Sequence, residues 1–210
     1  LPAIFDPIEA MEPDAPLVHD GSPSFESSSG PIQPEGNVVN HSTWSSGDME
    51  QGFSESDQIF EHTFTTTWVH QGYMEPYACV VDIDDAERVQ VWANNKVPYT
   101  LRKQLADALG LSEDQIRVNP CGIGGDFGGK SPAMNVPLAY FLSKSSGRPV
   151  KMIMSYIEEL VAGNPRHPSF ITIKTGVKND GTFVARESRV VYNGGAYCGF
   201  RGRAGLAGSR

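Results

Sequence analysis

Cysteine is scarce in these 210 residues. The three thiols, Cys79, Cys121 and Cys198, lie far apart with no C-x-x-C pair, which excludes a zinc ribbon or an iron–sulfur cluster built from this chain alone. An odd cysteine count also disfavours a disulfide framework, so reduced, buried thiols and a cytoplasmic setting are expected. Long apolar runs are missing too, since none approaches the about 18 residues that a bilayer-spanning helix requires. Basic residues are in deficit, with Lys+Arg 17 against Asp+Glu 25 and a formal net charge of −8. That sign argues against nucleic acid or an anionic membrane surface as the partner. The five histidines are dispersed. His19 and His41 stand in polar loop sequence and His62 and His70 are eight residues apart, so no metal-ligating set is assigned. The opening Leu1-Pro2-Ala3 is neither an initiator methionine nor a basic signal-peptide start, and the expectation is an excised piece of a longer chain.

Residues 1–50 are rich in proline and serine and show no sustained period of 2 or 3.6, which reads as an extended arm or linker. A short helix candidate spans residues 7–11. From residue 51 to 210 the pattern is that of one domain. Phe60, His62, Phe64, Thr66, Trp68 and His70 alternate with threonines, as a β-strand requires. Residues 78–83 and 88–93 are two further strands joined as a hairpin. Leu101, Leu105, Ala108 and Leu109 share one helical face after Pro98, and Gly110 supplies the left-handed stop. Short strands are expected at 116–118 and, buried, at 150–154, with a helix over 136–145. Ser155 and Glu158 form a capping box, which explains Glu158, and Glu159 is expected to face solvent. Residues 169–178 and 182–192 alternate around Asn179-Asp180-Gly181, a sequence of type I′ hairpin character. The sum is an α+β fold: a mixed β-sheet with helices packed mainly on one side, preceded by the extended N-terminal arm.

Between these elements stands Gly122-Ile123-Gly124-Gly125-Asp126-Phe127-Gly128-Gly129-Lys130, five glycines in nine residues. Glycine admits positive φ and close approach, and a run of exposed N–H groups forms a cradle for a polar anion. Gly124 to Ser131 also fits the phosphate-loop pattern G-x-x-x-x-G-K-[ST]. The context departs from that pattern. Asn119-Pro120-Cys121 separates strand from loop, Asp126 brings an acid into it, and no later apolar strand ends in a magnesium-binding aspartate.

Taken together and in order, several motifs resemble those of one family, the molybdopterin-binding large subunit of the xanthine dehydrogenase, aldehyde oxidoreductase and carbon monoxide dehydrogenase group. They are Met74-Glu75-Pro76, Val91-Trp92-Ala93, Leu109-Gly110-Leu111, the glycine loop, Gly147-Arg148-Pro149-Val150, Glu158-Glu159, Arg166-His167-Pro168, Asp180-Gly181 and Gly195-Ala196-Tyr197. The resemblance implies a molybdopterin cofactor, hydroxylation of a small substrate with oxygen from water, and electron transfer to iron–sulfur and FAD domains or subunits in an oligomeric parent. It further implies that Gly124, Gly125, Asp126, Phe127 and Gly128, together with Lys96, face the cofactor, and that Ser131 neighbours the substrate pocket. The family's general-base glutamate lies beyond Arg210, so no catalytic residue is expected in this chain. Two departures stand out. Lys96 replaces a glutamine and Asp126 a glycine, and two charges brought to one poorly solvated site should pair with each other.

Overall fold

The alternating run over residues 78–93 and the helical period after Pro98 lie next to each other in sequence, and they build one core. This is seen in a computed structural model that describes residues 3–18, 25–27, 30–32, 35–39 and 41–195. The strands are β1 (Phe25–Ser27), β2 (Gly30–Ile32), β3 (Gln58–Thr65), β4 (Ala78–Ile83), β5 (Val89–Ala93), β6 (Ile116–Asn119), β7 (Val150–Ile153), β8 (Ser169–Val177) and β9 (Phe183–Tyr192). The α-helices are α1 (Met49–Ser54), α2 (Pro98–Leu109), α3 (Val136–Ser146) and α4 (Tyr156–Ala162). The described chain divides into two compact units, one of residues up to Thr67 with His167–Gly195, the other of Trp68–Arg166.

The second unit is built on a mixed sheet of order β6-β5-β4-β7, in which only β5 and β6 run parallel. Its register pairs Val81 with Val91 and Val150, and Val89 with Ile116. One face therefore carries Cys79, Val81, Val89, Val91 and Ala93, and α2 and α3 cover that face with Leu101, Leu105, Val136 and Ala139. The expectation of a mixed sheet with helices on one side is met here. Pro98 opens α2 at a position that needs no N–H bond, and Gly110 closes it at φ 67.

The first unit holds the antiparallel sheet β3-β8-β9. Phe170 pairs with Val191 and Ile171 with Val190, so neighbouring residues take opposite faces as expected. No side chain of residues 3–18 is buried, and β1 and β2 form a short antiparallel pair. These N-terminal residues fall in the same compact unit as the long hairpin.

Several expectations are corrected. The first strand ends at Thr65, and His70 belongs to the other unit, because alternation of polar and aromatic residues does not by itself mark where pairing stops. The turn between β8 and β9 is not type I′: Gly181 (φ 89) has positive φ while Asn179 and Asp180 do not, and Lys178 N–H donates to the Thr182 carbonyl across a three-residue loop. That is a type I turn followed by a left-handed glycine. β7 is an outer strand of its sheet, with Lys151 and Ile153 exposed rather than buried. Cys79 is buried but Cys121 is exposed, and Cys198 lies outside the described residues, as do His19 and the closing glycine–arginine stretch. Helix α1 was not anticipated. Its signal was present in Asp48, whose carboxylate accepts the Gln51 N–H at 2.9 Å.

Leu105 is 1% exposed at the centre of the α2 face. Leu105→Ala should lower unfolding stability by about 2–5 kcal/mol in denaturant titration, while Phe60→Ala on exposed β3 should change it by less than about 0.5 kcal/mol.

Candidate functional site

The glycine loop leaves the end of β6 and is held from two sides. On one side, the turn after β5 uses two buried amides. Asn94 accepts the Ala78 N–H at 3.0 Å and donates to the Pro76 carbonyl at 2.8 Å, while Asn95 donates to the Ser131 and Pro132 carbonyls. The Lys96 N–H then donates to the Lys130 carbonyl at 3.1 Å. These side chains replace the backbone bonds that an irregular turn leaves open. They put Lys96 beside the loop.

On the other side stands the irregular segment 70–77, anchored on Glu159. This carboxylate is 1% exposed, contrary to the expectation that it faces solvent. α4 has only seven residues, and its capping box turns Glu158 outward to bond Ser155 while Glu159 points inward. The Tyr73 hydroxyl donates to Glu159 Oε2 at 2.6 Å, the Tyr77 N–H donates to Oε1, and His70 Nε2 lies 3.7 Å from Oε2. Burial and then the bond to Glu159 push the Tyr73 phenol far above its ordinary pKa, and burial does the same to Tyr77. Both phenols are fixed as donors. The Tyr77 hydroxyl donates to the Gly129 carbonyl at 2.6 Å, and the fully buried Lys130 ammonium sits 4.6 Å over the Tyr73 ring.

Lys130 completes the frame by pairing with Glu75 at 2.7 Å, and the same Glu75 Oε2 accepts the Gly124 N–H at 2.7 Å. The phosphate-loop pattern is thereby emptied of its usual meaning. Its lysine is buried and neutralised by an internal carboxylate. The glycines have a packing reason as well: a Cβ at Gly124 would stand 2.7 Å from Glu75 Cβ, and one at Gly129 would stand 2.6 Å from the Tyr73 ring.

Asp126 works from within the loop. Its Oδ1 accepts the Lys130 N–H at 2.6 Å, and its Oδ2 accepts the Gly128 N–H at 2.8 Å and the Lys96 ammonium at 2.7 Å. The expected pairing of Lys96 with Asp126 is thus present as a direct ion pair. Burial alone would raise the Asp126 pKa, but the Lys96 ammonium and the two amides outweigh it and hold it below the ordinary value. Glu75 behaves likewise, with burial outweighed by Lys130 and the Gly124 amide. Gly125 (φ 93) and Gly128 (φ 94) take the conformations that only glycine adopts freely, and Phe127 is forced to φ 45 between them. The Phe127 carbonyl is tied down by the Arg166 guanidinium at 2.8 Å. The amides of Gly125, Asp126 and Phe127 have no acceptor among the described residues. Ser131, expected near a substrate pocket, is 3% exposed and its Oγ has no hydrogen-bond partner among the described residues.

Such a frame defines a glycine-built loop braced by buried carboxylates in an α+β domain, with its lysine paired internally to Glu75. Comparison with known proteins agrees. Residues 32–205 match the family described as the molybdopterin cofactor-binding domain. The chain is 34% identical over 191 residues to a probable xanthine dehydrogenase component of Bacillus subtilis, covering 91% of this chain and 24% of that protein. It is 30% identical over 198 residues to the xanthine dehydrogenase molybdenum-binding subunit of Escherichia coli O157:H7, covering 94% and 24%. In structure it is similar to the CO dehydrogenase of Oligotropha carboxidovorans, with TM-score 0.72 and 27% identity over 90% of this chain and 24% of that one. The aldehyde oxidoreductase of Desulfovibrio gigas shares the fold, with TM-score 0.71. The chain belongs to the molybdopterin cofactor-binding domain family, and it spans about a quarter of the length of these relatives.

Because the folded carboxyl groups of Asp126 and Glu75 titrate below their ordinary values of 3.8 and 4.5, their contribution to stability is fully present above those values. It is lost as pH falls through the lower folded values. The Gly124, Gly128 and Lys130 amide NMR signals should therefore stay unchanged down to about pH 4.5 and shift only below it. Lys96→Met should move the Asp126 transition upward. A titration of these amides at the ordinary carboxylate values in the unsubstituted protein would contradict the assigned network.

Proposed function

We propose that this chain is an internal part of a molybdenum hydroxylase large subunit, within which residues 51–210 belong to the cofactor-binding domain and residues 1–50 form the arm leading into it. The parent would hydroxylate an aldehyde, a purine-like heterocycle or a similar small substrate with oxygen from water. It would pass electrons to iron–sulfur and FAD domains or subunits in an oligomer of the cytoplasm. The observation that carries this reading is the division of labour in the loop. Gly124, Gly128 and Lys130 spend their amides on internal carboxylates, which fixes the backbone and leaves the donors at Gly125, Asp126 and Phe127 for an outside acceptor.

The residues fit an oxygen- and sulfur-rich anionic cofactor of this kind. Lys96 is 38% exposed in its side chain with one of its three donors engaged by Asp126, and the loop crest at Phe127 is 63% exposed. Gly124, Gly125, Asp126, Phe127, Gly128 and Lys96 would hold the group. When bound, it supplies the metal at which the substrate is oxidised. The chain's own residues bind and orient it, and the buried frame under the loop keeps the amides from following a ligand as it moves. A degenerate assembly module is the second reading, favoured by the Lys96–Asp126 charge pair at the loop. Metal analysis, pterin extraction and a visible spectrum of the full-length parent separate the two. About one molybdenum and one pterin per large subunit is the expected result. A purified parent with neither would sink the enzyme reading and leave the module.

No described helix is long and apolar enough to cross a membrane.

A further inference from the structure

The tip of the glycine loop is a tight turn of the less common hand. The Gly129 N–H donates to the Asp126 carbonyl at 2.8 Å, which closes a four-residue turn, and its two central residues both have positive φ, 45 at Phe127 and 94 at Gly128. Positive φ at both central positions is the mark of type I′. The sequence favours the mirror image. Aspartate at the first position and glycine at the fourth are the preferences of an ordinary type I turn, whereas type I′ takes Gly, Asn or Asp at its second position. A bulky phenylalanine is out of place there. The hand of the turn is therefore set from outside its own four residues.

The two hands differ in the central peptide, whose carbonyl points to opposite sides of the turn in a type I turn and in its mirror image. Here that carbonyl, of Phe127, accepts Arg166 Nη2 at 2.8 Å. The N–H of the same peptide, at Gly128, goes to Asp126 Oδ2 at 2.8 Å. Aspartate bonds the residue two positions on in ordinary turns as well, so this contact does not choose the hand. Arg166 is the one partner from outside the turn that the Phe127–Gly128 peptide has among the described residues. It is placed for that task. Its own N–H and carbonyl are bonded to Val69, and its guanidinium forms no ion pair among the described residues that would draw it elsewhere. We propose that Arg166 is a positioning residue, which selects the type I′ hand of the turn Asp126–Gly129 and so fixes how the loop crest meets the cofactor. This rests on the proposed function, in which the crest faces that group. Without the guanidinium the turn reverts to type I, and φ at Phe127 moves from 45 to about −60. The ring, 63% exposed, then rotates by roughly 100° relative to its own N–H, and ring and amide are no longer presented together.

Crystal structures of the full-length parent read the sign of φ at Phe127 directly, and pterin content after gel filtration reads cofactor retention on the same preparations. Arg166→Met should carry φ at Phe127 to negative values and lower the retained pterin at least about threefold. Arg166→Lys still offers a donor to the carbonyl and should keep φ positive. The second arm is a rescue. Asn-Gly is the pair that type I′ prefers, so in Phe127→Asn the turn keeps its hand unaided, and adding Arg166→Met there should change neither φ at position 127 nor pterin retention. An arginine needed merely for stability would cost the same in both backgrounds. Where Arg166→Met alone does not fold, the double substitution carries the test: a folded protein with positive φ supports the selection of hand, and an unfolded one overturns it. Positive φ at Phe127 in a folded Arg166→Met parent with normal pterin content would overturn the role of Arg166 and leave the proposed function intact. A parent that holds no pterin in any variant, yet changes the hand of its turn in Arg166→Met, would sink the proposed function and leave the selection of hand standing.

Discussion

Glu159 is a carboxylate taken out of water, and the second unit is arranged to satisfy it. An isolated buried charge costs several kcal/mol, and here the Tyr73 hydroxyl and the Tyr77 N–H donate to its two oxygens. That requirement draws the irregular segment 70–77 against α4. Once in place, the segment can carry the loop: the Tyr73 ring lies under Lys130, the Tyr77 hydroxyl caps the Gly129 carbonyl, and Glu75 joins Lys130 to the Gly124 amide. The glycines then have two distinct duties. Gly124 and Gly129 make room for this frame, whereas Gly125 and Gly128 turn the backbone through positive φ so that the crest faces outward.

The resulting loop is rigid at its base and open at its crest, which is the arrangement electrostatic binding requires. Donors already fixed in space bind an anion without the cost of reorganising. The substitution of two neutral residues by Lys96 and Asp126, as the family resemblance implies, adds to this rigidity. Asp126 bonds two loop amides and Lys96 neutralises it at 2.7 Å. A charge that looked like a defect in the sequence acts in the structure as an internal clamp, and the surplus of positive charge passes to Arg166.

How much of this was legible in the sequence follows from where the determining contacts lie. α2 could be read residue by residue because Pro98, the Leu101–Leu105–Leu109 spacing and Gly110 are all local signals, and the β8–β9 hairpin was marked by its turn. The turn type was missed because Asn-Asp-Gly serves equally well as a type I turn with a trailing left-handed glycine. Glu159 was invisible for a deeper reason. Glu158 and Glu159 are identical neighbours, and their fates differ only because Glu158 caps α4 while Glu159 meets Tyr73, 86 positions away in sequence. Asn94 and Asn95 were likewise silent, since nothing local shows that their amides will replace backbone partners. The pairing of Lys96 with Asp126 was legible because two charges brought to one site have few other ways to be satisfied.

The central claim is that the buried carboxylate of Glu159 holds the glycine loop rigid through Tyr73 and Tyr77. Hydrogen exchange at the Gly124, Gly128 and Lys130 amides of Glu159→Gln tests it most directly, because one of the two donors then faces an amide N–H₂ instead of an oxygen. The account predicts that protection at these three amides falls by about tenfold or more, equivalent to about 1.4 kcal/mol of local stability, while amides of β8 and β9 keep theirs. Unchanged protection at the loop in a folded Glu159→Gln protein would contradict it.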